Sequence, residues 1–556
     1  MKKFFFLILF VSIHLVKAYS SILNTMDEEL NRSYKILQST KPFPVYFIQY
    51  EIVDEHQIVI NATLGVIVEE QENRHRYLDV DLRVGSYKLD NYHEIRGAEE
   101  SEWWTTPAEV PIDDNPEALR LILWTETDKK FKSAQERYIK VLNERQVKVI
   151  ESDTSPDFSK APRIEYIGMI EDINLDQNLW KERLRKLSAL FKDHTWIYSS
   201  RVALRAISQT KYLVNTEGTK LLHNQVSYHL QVYAATMADD GMELYLSYPV
   251  FARKIENLPD EEFLKSQIDS LIKNLYALKN APLVEPYSGP AILMNRACGV
   301  FFHEIFGHRV EGHRQKSEFE GQTFTKKLNE RIMPEFISIY DDPTMKKFND
   351  KDLNGHYLFD DEGVKGARVT VVENGILKGF LMSRSPIANF PVSNGHGRRQ
   401  AGRKVVARQG VLYIKSAKEV SFEELRRALI EECRRQNKPY GLIFYDIAGG
   451  FTITGREGPQ TFKVIPLFVK KIYVDGRPDE VVRGVDIVGT PLLSLSKILL
   501  TGNDYEVFNG TCGAESGWVP VSAISPSILV SEIEVEKKAK GQERPPILPA
   551  PVESSR

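Results

Sequence analysis

Apolar and polar residues alternate through Val45 and Phe47 and again through Leu78, Val80 and Leu82, with a continuous apolar run at Ile58-Val59-Ile60 between them. A period of two is the mark of a half-buried strand, so residues 44–90 predict several antiparallel strands. The period changes at Asn115-Pro116, where asparagine at the N-cap and proline at the first helical position open a helix. Leu119, Ile122, Ala134, Tyr138 and Val141 mark its buried side, and its end falls near Asn143. Beyond a polar loop at 152–162, Trp180, Leu184, Leu187 and Phe191 form the apolar stripe of a second helix. Strands follow at 202–214 and 226–234, and Asp240-Gly241 turns the chain into another at 244–248. A third helix carries Leu264, Ile268, Leu271, Leu275 and Leu278 on one face. His223 and His229, within the strand region, are expected on a solvated strand face.

The pattern shifts at about Pro286. From Phe336 to Val535 short strands dominate, at 369–372, 376–382, 411–414, 441–445, 462–473 and 528–535, with helices only at 422–436 and 493–500. Strands and turn signals this frequent predict a curled sheet or barrel-like core. The fold class is therefore α+β in two domains: an N-terminal antiparallel sheet with two or three long helices, and a C-terminal strand-rich, barrel-like domain. The predicted boundaries are 19–285 and 286–540. The Pro-rich residues 541–556 predict a disordered tail.

A chain of 556 residues is long enough for two domains or more. Its 42% hydrophobic and 27% charged content is ordinary for a globular protein, and a net charge of -3 gives no nucleic-acid footprint. Residues 1–18 stand apart from the fold. Lys2-Lys3, an apolar run from Phe4 to Val16 and the small-residue step Val16-Lys17-Ala18 predict a cleaved signal peptide. The run is short for a membrane span. An exported protein, periplasmic or extracellular, is expected, with no membrane span after cleavage. Three cysteines, Cys298, Cys433 and Cys512, are too few for a disulfide scaffold, and the odd count leaves a thiolate available as a ligand.

Candidate chemistry concentrates in Cys298-Gly-Val-Phe-Phe-His303-Glu304-Ile-Phe-Gly-His308-Arg-Val-Glu-Gly-His313. Two imidazoles can hold a metal, and the adjacent carboxylate can take a proton from water that the ion activates. On a regular helix a four-residue step lies about 40° off alignment, whereas the five-residue step from His303 to His308 lies about 140° off. A π-bulge near Gly307 is the expected way to bring both rings to one face. A catalytic zinc usually takes three protein ligands. The candidates for the third are Cys512, Cys298, His313, His356 and His396. Cys512 leads, because the glycines of Asn509-Gly-Thr-Cys-Gly form a turn-rich loop that lets backbone approach an ion closely. Cys298 fits a small core residue better, His313 a supporting or surface position, and His396 a place near the cleft.

From the motif onward the sequence resembles the TldD/PmbA family of zinc peptidases, in the branch that carries H-E-x-x-x-H. The likeness begins with Tyr287-Ser-Gly-Pro-Ala-Ile-Leu. It continues through Phe359-Asp-Asp-Glu-Gly363, Glu373-Asn-Gly-Ile-Leu-Lys-Gly379, Asn394-Gly-His-Gly-Arg-Arg399 and Asn509-Gly-Thr-Cys512-Gly, in family order over roughly 286–535. The resemblance implies Zn2+ held by His303, His308 and Cys512, with Glu304 as general base in the hydrolysis of short or unfolded peptides. It also implies a dimer, with either a second copy or a metal-less paralogue. The alternative it leaves is a non-enzymatic partner or chaperone subunit, the role of the branch that lacks the motif.

Overall fold

Residues 45–86 form one long hairpin. Strand β1 (Val45–Thr63) and strand β2 (Val66–Ser86) pair antiparallel along their whole length. Leu64 and Gly65, at φ 47° and 79°, close the hairpin as a two-residue turn with both residues left-handed. The several strands expected here are thus two long ones, because the polar stretch from Glu69 to Arg76 contains neither glycine nor proline and the pairing runs through it. The computed structural model describes residues 21–95, 107–147, 153–458, 460–538 and 548. The expected signal peptide and nearly all of the expected tail lie outside the described residues.

Strands β3 (Ser199–Asn215), β4 (Lys220–Met237) and β5 (Glu243–Ala252) extend the hairpin into a sheet whose long strands run β2-β1-β3-β4-β5, each antiparallel to the next, while Glu165–Ile167 adds a short parallel pairing to β4. Among the described residues four helices accompany it. Residues 21–37 form helix α1, whose Ile22, Met26 and Leu30 are buried at helical spacing and which the strand-oriented reading of the N-terminus left out. Helix α2 (Pro116–Val147) begins where Asn115 Oδ1 accepts the amides of Glu117 and Ala118. Asp176 and Asp260 cap α3 (Gln177–Ala189) and α4 (Glu261–Lys279) in the same way, each side chain accepting an amide three residues on. The stripes Trp180-Leu184-Leu187 and Leu264-Ile268-Leu271-Leu275-Leu278 are buried as their spacing predicts.

The C-terminal half is built on a closed ring. Strands β6 (Tyr287–Leu293), β10 (Tyr440–Thr452), β11 (Phe462–Tyr473), β12 (Val485–Gly489) and β15 (Ile528–Lys537) pair in the cycle β6-β10-β11-β12-β15-β6. This is a five-stranded barrel, and its first and last strands close it. The intervening strands β7 (Ile337–Asp341), β8 (Val369–Glu373), β9 (Val411–Ser416), β13 (Glu506–Ala514) and β14 (Gly517–Ser525) make a second sheet ordered β8-β7-β9-β14-β13, which leaves β13 at an edge. The expected strand at 376–382 forms a strand only over Ile376–Leu377, with Leu381 making an isolated parallel bridge to Glu311. Helix α5 (Asn295–Ile305) runs between barrel strands β10 and β11 and sheet strands β13 and β14, and every residue from Ala297 to Ile305 is buried. Helix α6 (Phe422–Arg435) packs outside the barrel, where Leu425, Leu429 and Cys433 meet Ile292, Ile443 and Leu529.

Charged and polar contacts join the two halves. Arg399 Nη2 lies 2.6 Å from Glu51 Oε2, and Gln49 Nε2 donates to the Asp361 carbonyl at 2.9 Å. Lys211 pairs with Asp361, and Arg384 Nη2 donates to Glu217 Oε1 at 2.8 Å. Among the described residues no helix is long and apolar enough to cross a membrane, a statement that leaves β-strands aside.

Candidate metal centre

Helix α5 carries His303 and Glu304 in its last turn and then stops. Phe306, at φ −121° and ψ −52°, leaves the helical conformation, and Gly307–Val310 re-forms as a 3-10 turn bearing His308. The expected π-bulge is therefore absent from this segment. The extra residue is absorbed by breaking the helix rather than by widening it. Gly307 is needed at the break for space: a Cβ there would lie 1.8 Å from Gln409 Oε1. That glutamine is itself buried, with Nε2 3.5 Å from the His303 carbonyl, so it has little room to yield. The break leaves the two imidazoles with centroids 5.0 Å apart and planes at 79°.

Cys512 arrives from the opposite side. It sits on edge strand β13, paired with Val519 of β14, and not on the turn-rich loop that its flanking glycines predict. Its Sγ lies 3.1 Å from His303 Nε2 and 3.3 Å from His308 Nε2, and the three donor atoms all fall within 4.8 Å of one another. A tetrahedral zinc with sulfur at ~2.3 Å and nitrogen at ~2.0–2.1 Å separates such atoms by roughly 3.3–3.6 Å. The two sulfur–nitrogen distances need only a small outward shift to meet that requirement. One thiolate with two neutral imidazoles is also a donor set that suits zinc. The residues present fit the ion.

The electrostatics of the triad favour a charged sulfur. Burial alone would push the Cys512 thiol up, but His308 and His303 outweigh it and hold the thiol well below its usual range. Burial likewise pushes His308 down, while Cys512 and Glu311 overcome it and raise the imidazole well above its ordinary value. A thiolate that shares a proton with imidazole can exchange that proton for a cation. The Glu304 carboxyl is raised by burial, with His303 and His308 pulling it partly back.

A further layer, absent from the sequence reading, surrounds the triad. The carboxylate of Glu311 lies 3.3 Å from His308 Nδ1, the nitrogen turned away from the sulfur. Arg314 Nε donates to Glu311 Oε2 at 2.9 Å, and Arg314 Nη2 to Glu515 Oε2 at 2.8 Å. Arg408 Nη2 reaches both Cys512 Sγ at 3.1 Å and the Cys512 carbonyl at 2.8 Å. Glu311 could have been found from its three-residue step after His308, since a ligating histidine usually gives its second nitrogen to a carboxylate. Arg408 and Glu515 had no local signal.

The remaining candidates lie elsewhere or in supporting positions. His313 pairs with Glu515 and lines the cavity. His396 is fully buried against Asp341, 3.2 Å from Nε2 to Oδ1, and is not part of the triad. His356 places Nδ1 2.7 Å from the Pro343 carbonyl, and Cys298 is embedded in the core beside the barrel. His223 and His229, expected on a solvated face, are half-buried: Phe359 of the C-terminal half covers His223, and Phe251 of the neighbouring strand packs against His229.

The triad and Glu304 line a cavity of about 1010 Å³. The segments Ala448–Gly458 and Glu318–Glu320 form part of its wall. Phe319, Phe451, Ile453 and Trp518 are large apolar side chains exposed on the lining. The N-terminal half contributes Arg83, Tyr92 and His93.

Comparison with known proteins follows this half of the molecule. Residues 286–537 match the family described as PmbA/TldA metallopeptidase C-terminal domain. A protein of Archaeoglobus fulgidus named metalloprotease is 32% identical over 266 residues, 47% of this chain and 56% of the relative. A Saccharolobus solfataricus protein named zinc metalloprotease TldD homolog is 28% identical over 255 residues, 44% of this chain and 51% of the relative. The chain thus spans about half the length of these two curated relatives. TldE from Thermococcus kodakarensis shares the fold, with a TM-score of 0.59 at 14% identity, covering 92% of this chain and 100% of that one. The C-terminal half, which carries the histidine helix and the cysteine strand, therefore belongs to the TldD/PmbA family, and the chain shares its fold with TldE.

Proposed function

We propose that this chain is a zinc-dependent metallopeptidase acting on short or unfolded peptides. The observation that carries the proposal is the convergence of His303, His308 and Cys512 donor atoms within 4.8 Å on a cavity that Glu304 also lines. His303, His308 and Cys512 hold the ion, and zinc supplies Lewis acidity to the scissile carbonyl and to water. Glu304 takes the proton that water loses as its oxygen bonds to the carbonyl carbon. It then delivers that proton to the amine nitrogen as the C–N bond breaks. Burial, which raises the Glu304 carboxyl, makes its carboxylate a stronger base for the first step.

An extended peptide suits the walls. On β13 the carbonyls of Gly510 and Cys512 are already taken by Asn354 Nδ2 and Arg408 Nη2. On β10 the pairing with β6 ends at Phe444, so the segment from Ala448 to Phe451 offers an edge beside Glu304. A Cβ at Gly449 would meet nothing within 4 Å. A substrate strand added there would gain main-chain hydrogen bonds without regard to sequence. The family relation and the TldE-like fold further support a dimer, with a second copy or a paralogue, that encloses the cavity.

The deciding experiment is Glu304→Gln. The variant is expected to keep about one zinc per chain by elemental analysis and to lose hydrolysis of a peptide mixture by about 100-fold or more, read by mass spectrometry with and without chelator. Full activity in the variant ends the general-base assignment, and a metal-free wild-type protein ends the zinc assignment. Export belongs to the same proposal. N-terminal sequencing of the mature protein should begin near Tyr19, and a chain that begins at Met1 or stays in the cytosol contradicts it.

A further inference from the structure

Arg408 is fully buried, and its fork is spent on one residue and that residue's neighbours. Nη2 donates to both Cys512 Sγ at 3.1 Å and the Cys512 carbonyl at 2.8 Å. Nη1 donates to Ser516 Oγ at 2.7 Å and the Gly517 carbonyl at 3.0 Å. Nε faces Glu311 Oε1 at 3.4 Å, a charge contact too long for a hydrogen bond, and each atom lacks a hydrogen-bond partner among the described residues. Glu311 in turn faces His308 Nδ1, and His308 Nε2 faces the sulfur. The contacts close a circuit: Cys512, His308, Glu311, Arg408 and back to Cys512.

We propose that Arg408 is a positioning residue that sets both the place and the donor strength of the Cys512 sulfur. The inference rests on Cys512 being a metal ligand, as argued above. Gripping Sγ and carbonyl of the same residue fixes the side chain relative to its strand, and β13 is an edge strand with pairing on one side only. A charged N–H donated to a thiolate draws electron density from the sulfur. A thiolate ligand cancels one unit of the ion's charge, so two imidazoles and a bare thiolate leave a weaker Lewis acid than three imidazoles do. Donation from Arg408 offsets part of that loss. Glu311 acts from the other side of the circuit, strengthening His308 as a donor through its far nitrogen. Lysine could supply the charge but not the planar fork that reaches sulfur, carbonyl and hydroxyl together.

The test uses the full-length protein, freed of metal and titrated with cobalt chloride, in which a sulfur-to-cobalt charge-transfer band reports the sulfur directly. In Arg408→Lys the band is expected to move to longer wavelength, as a sulfur released from the N–H donor gives up its electron more easily. Peptide turnover should fall by about 10- to 100-fold in kcat with KM little changed. Ser516→Ala removes only one anchor of the fork and should move the band in the same direction by less. It decides the question if Arg408→Lys does not fold. A band at the wild-type wavelength in the folded variants overturns the role of Arg408. Absence of the band from the wild-type protein overturns instead the assignment of Cys512 as a ligand.

Discussion

Cys298 and Cys512 are both buried free thiols, yet their surroundings drive them in opposite directions. Burial pushes the Cys298 thiol far up, and only a hydrogen bond from Ser525 opposes it. At Cys512 two imidazoles and a guanidinium turn the balance toward the thiolate. Burial therefore does not distinguish a core cysteine from a ligand; the charges around it do. Cys512→Ala is expected to abolish stoichiometric zinc binding, measured by competition with a chromogenic chelator. Cys298→Ala should keep the metal and cost only packing, about 1 kcal/mol in a denaturant titration. Equal zinc affinity in the two variants would refute the assignment of the ligand.

At the scale of elements, the barrel wall and the Glu304 side chain are packed against each other through a glycine. A Cβ on Gly450 of β10 would lie 2.6 Å from the Lys463 carbonyl and 2.9 Å from Glu304 Cγ. The first contact is backbone and cannot rotate away, so the added methyl must displace Glu304 or distort the strand pair. Gly450→Ala is expected to cost about 1–3 kcal/mol of stability and to lower kcat while zinc content is kept. Calorimetry and turnover measured on one preparation check it, and unchanged turnover would show that Glu304 has freedom the packing denies it. Helices α3 and α4 were legible in the sequence because a single apolar face and an aspartate cap specify each one locally. The break after Ile305 was not, because the space that Gly307 must leave is set by Gln409, on a segment about a hundred residues away. Asn509-Gly-Thr-Cys-Gly reads as a turn by composition, and pairing with β14 imposes a strand on it. The residue types of the proposed ligands were therefore visible in the sequence, while the geometry and the Arg408 circuit were not.

For the whole molecule, three histidines tie stability to pH. His223 is pushed down to about 4 by burial and then by Lys211, and His229 to about 4 by burial with Arg205 and Arg253. His356 is also held at about 4, by burial against the pull of the Pro343 carbonyl. Each is neutral when folded and gains a proton near the ordinary value of about 6.5 when unfolded. Their contribution is therefore complete above about 6.5 and is lost as pH falls from there toward about 4. The melting temperature should drop as pH is lowered from about 7 to about 5, and replacing all three by glutamine should flatten that slope. An identical slope in the triple variant would place the acid sensitivity elsewhere.

The closed ring and the triad share one property, which concerns time rather than space. The first barrel strand, 287–293, waits for the last, 528–537, and the two imidazoles wait for a sulfur at position 512. A ribosome making this chain has therefore delivered His303 and His308 long before anything can complete their coordination. The growing polypeptide cannot bring the three donor atoms together, and a chain that terminates early or is clipped before Cys512 never forms the triad. On the proposed reading, metal loading would double as a report that translation reached the final strands.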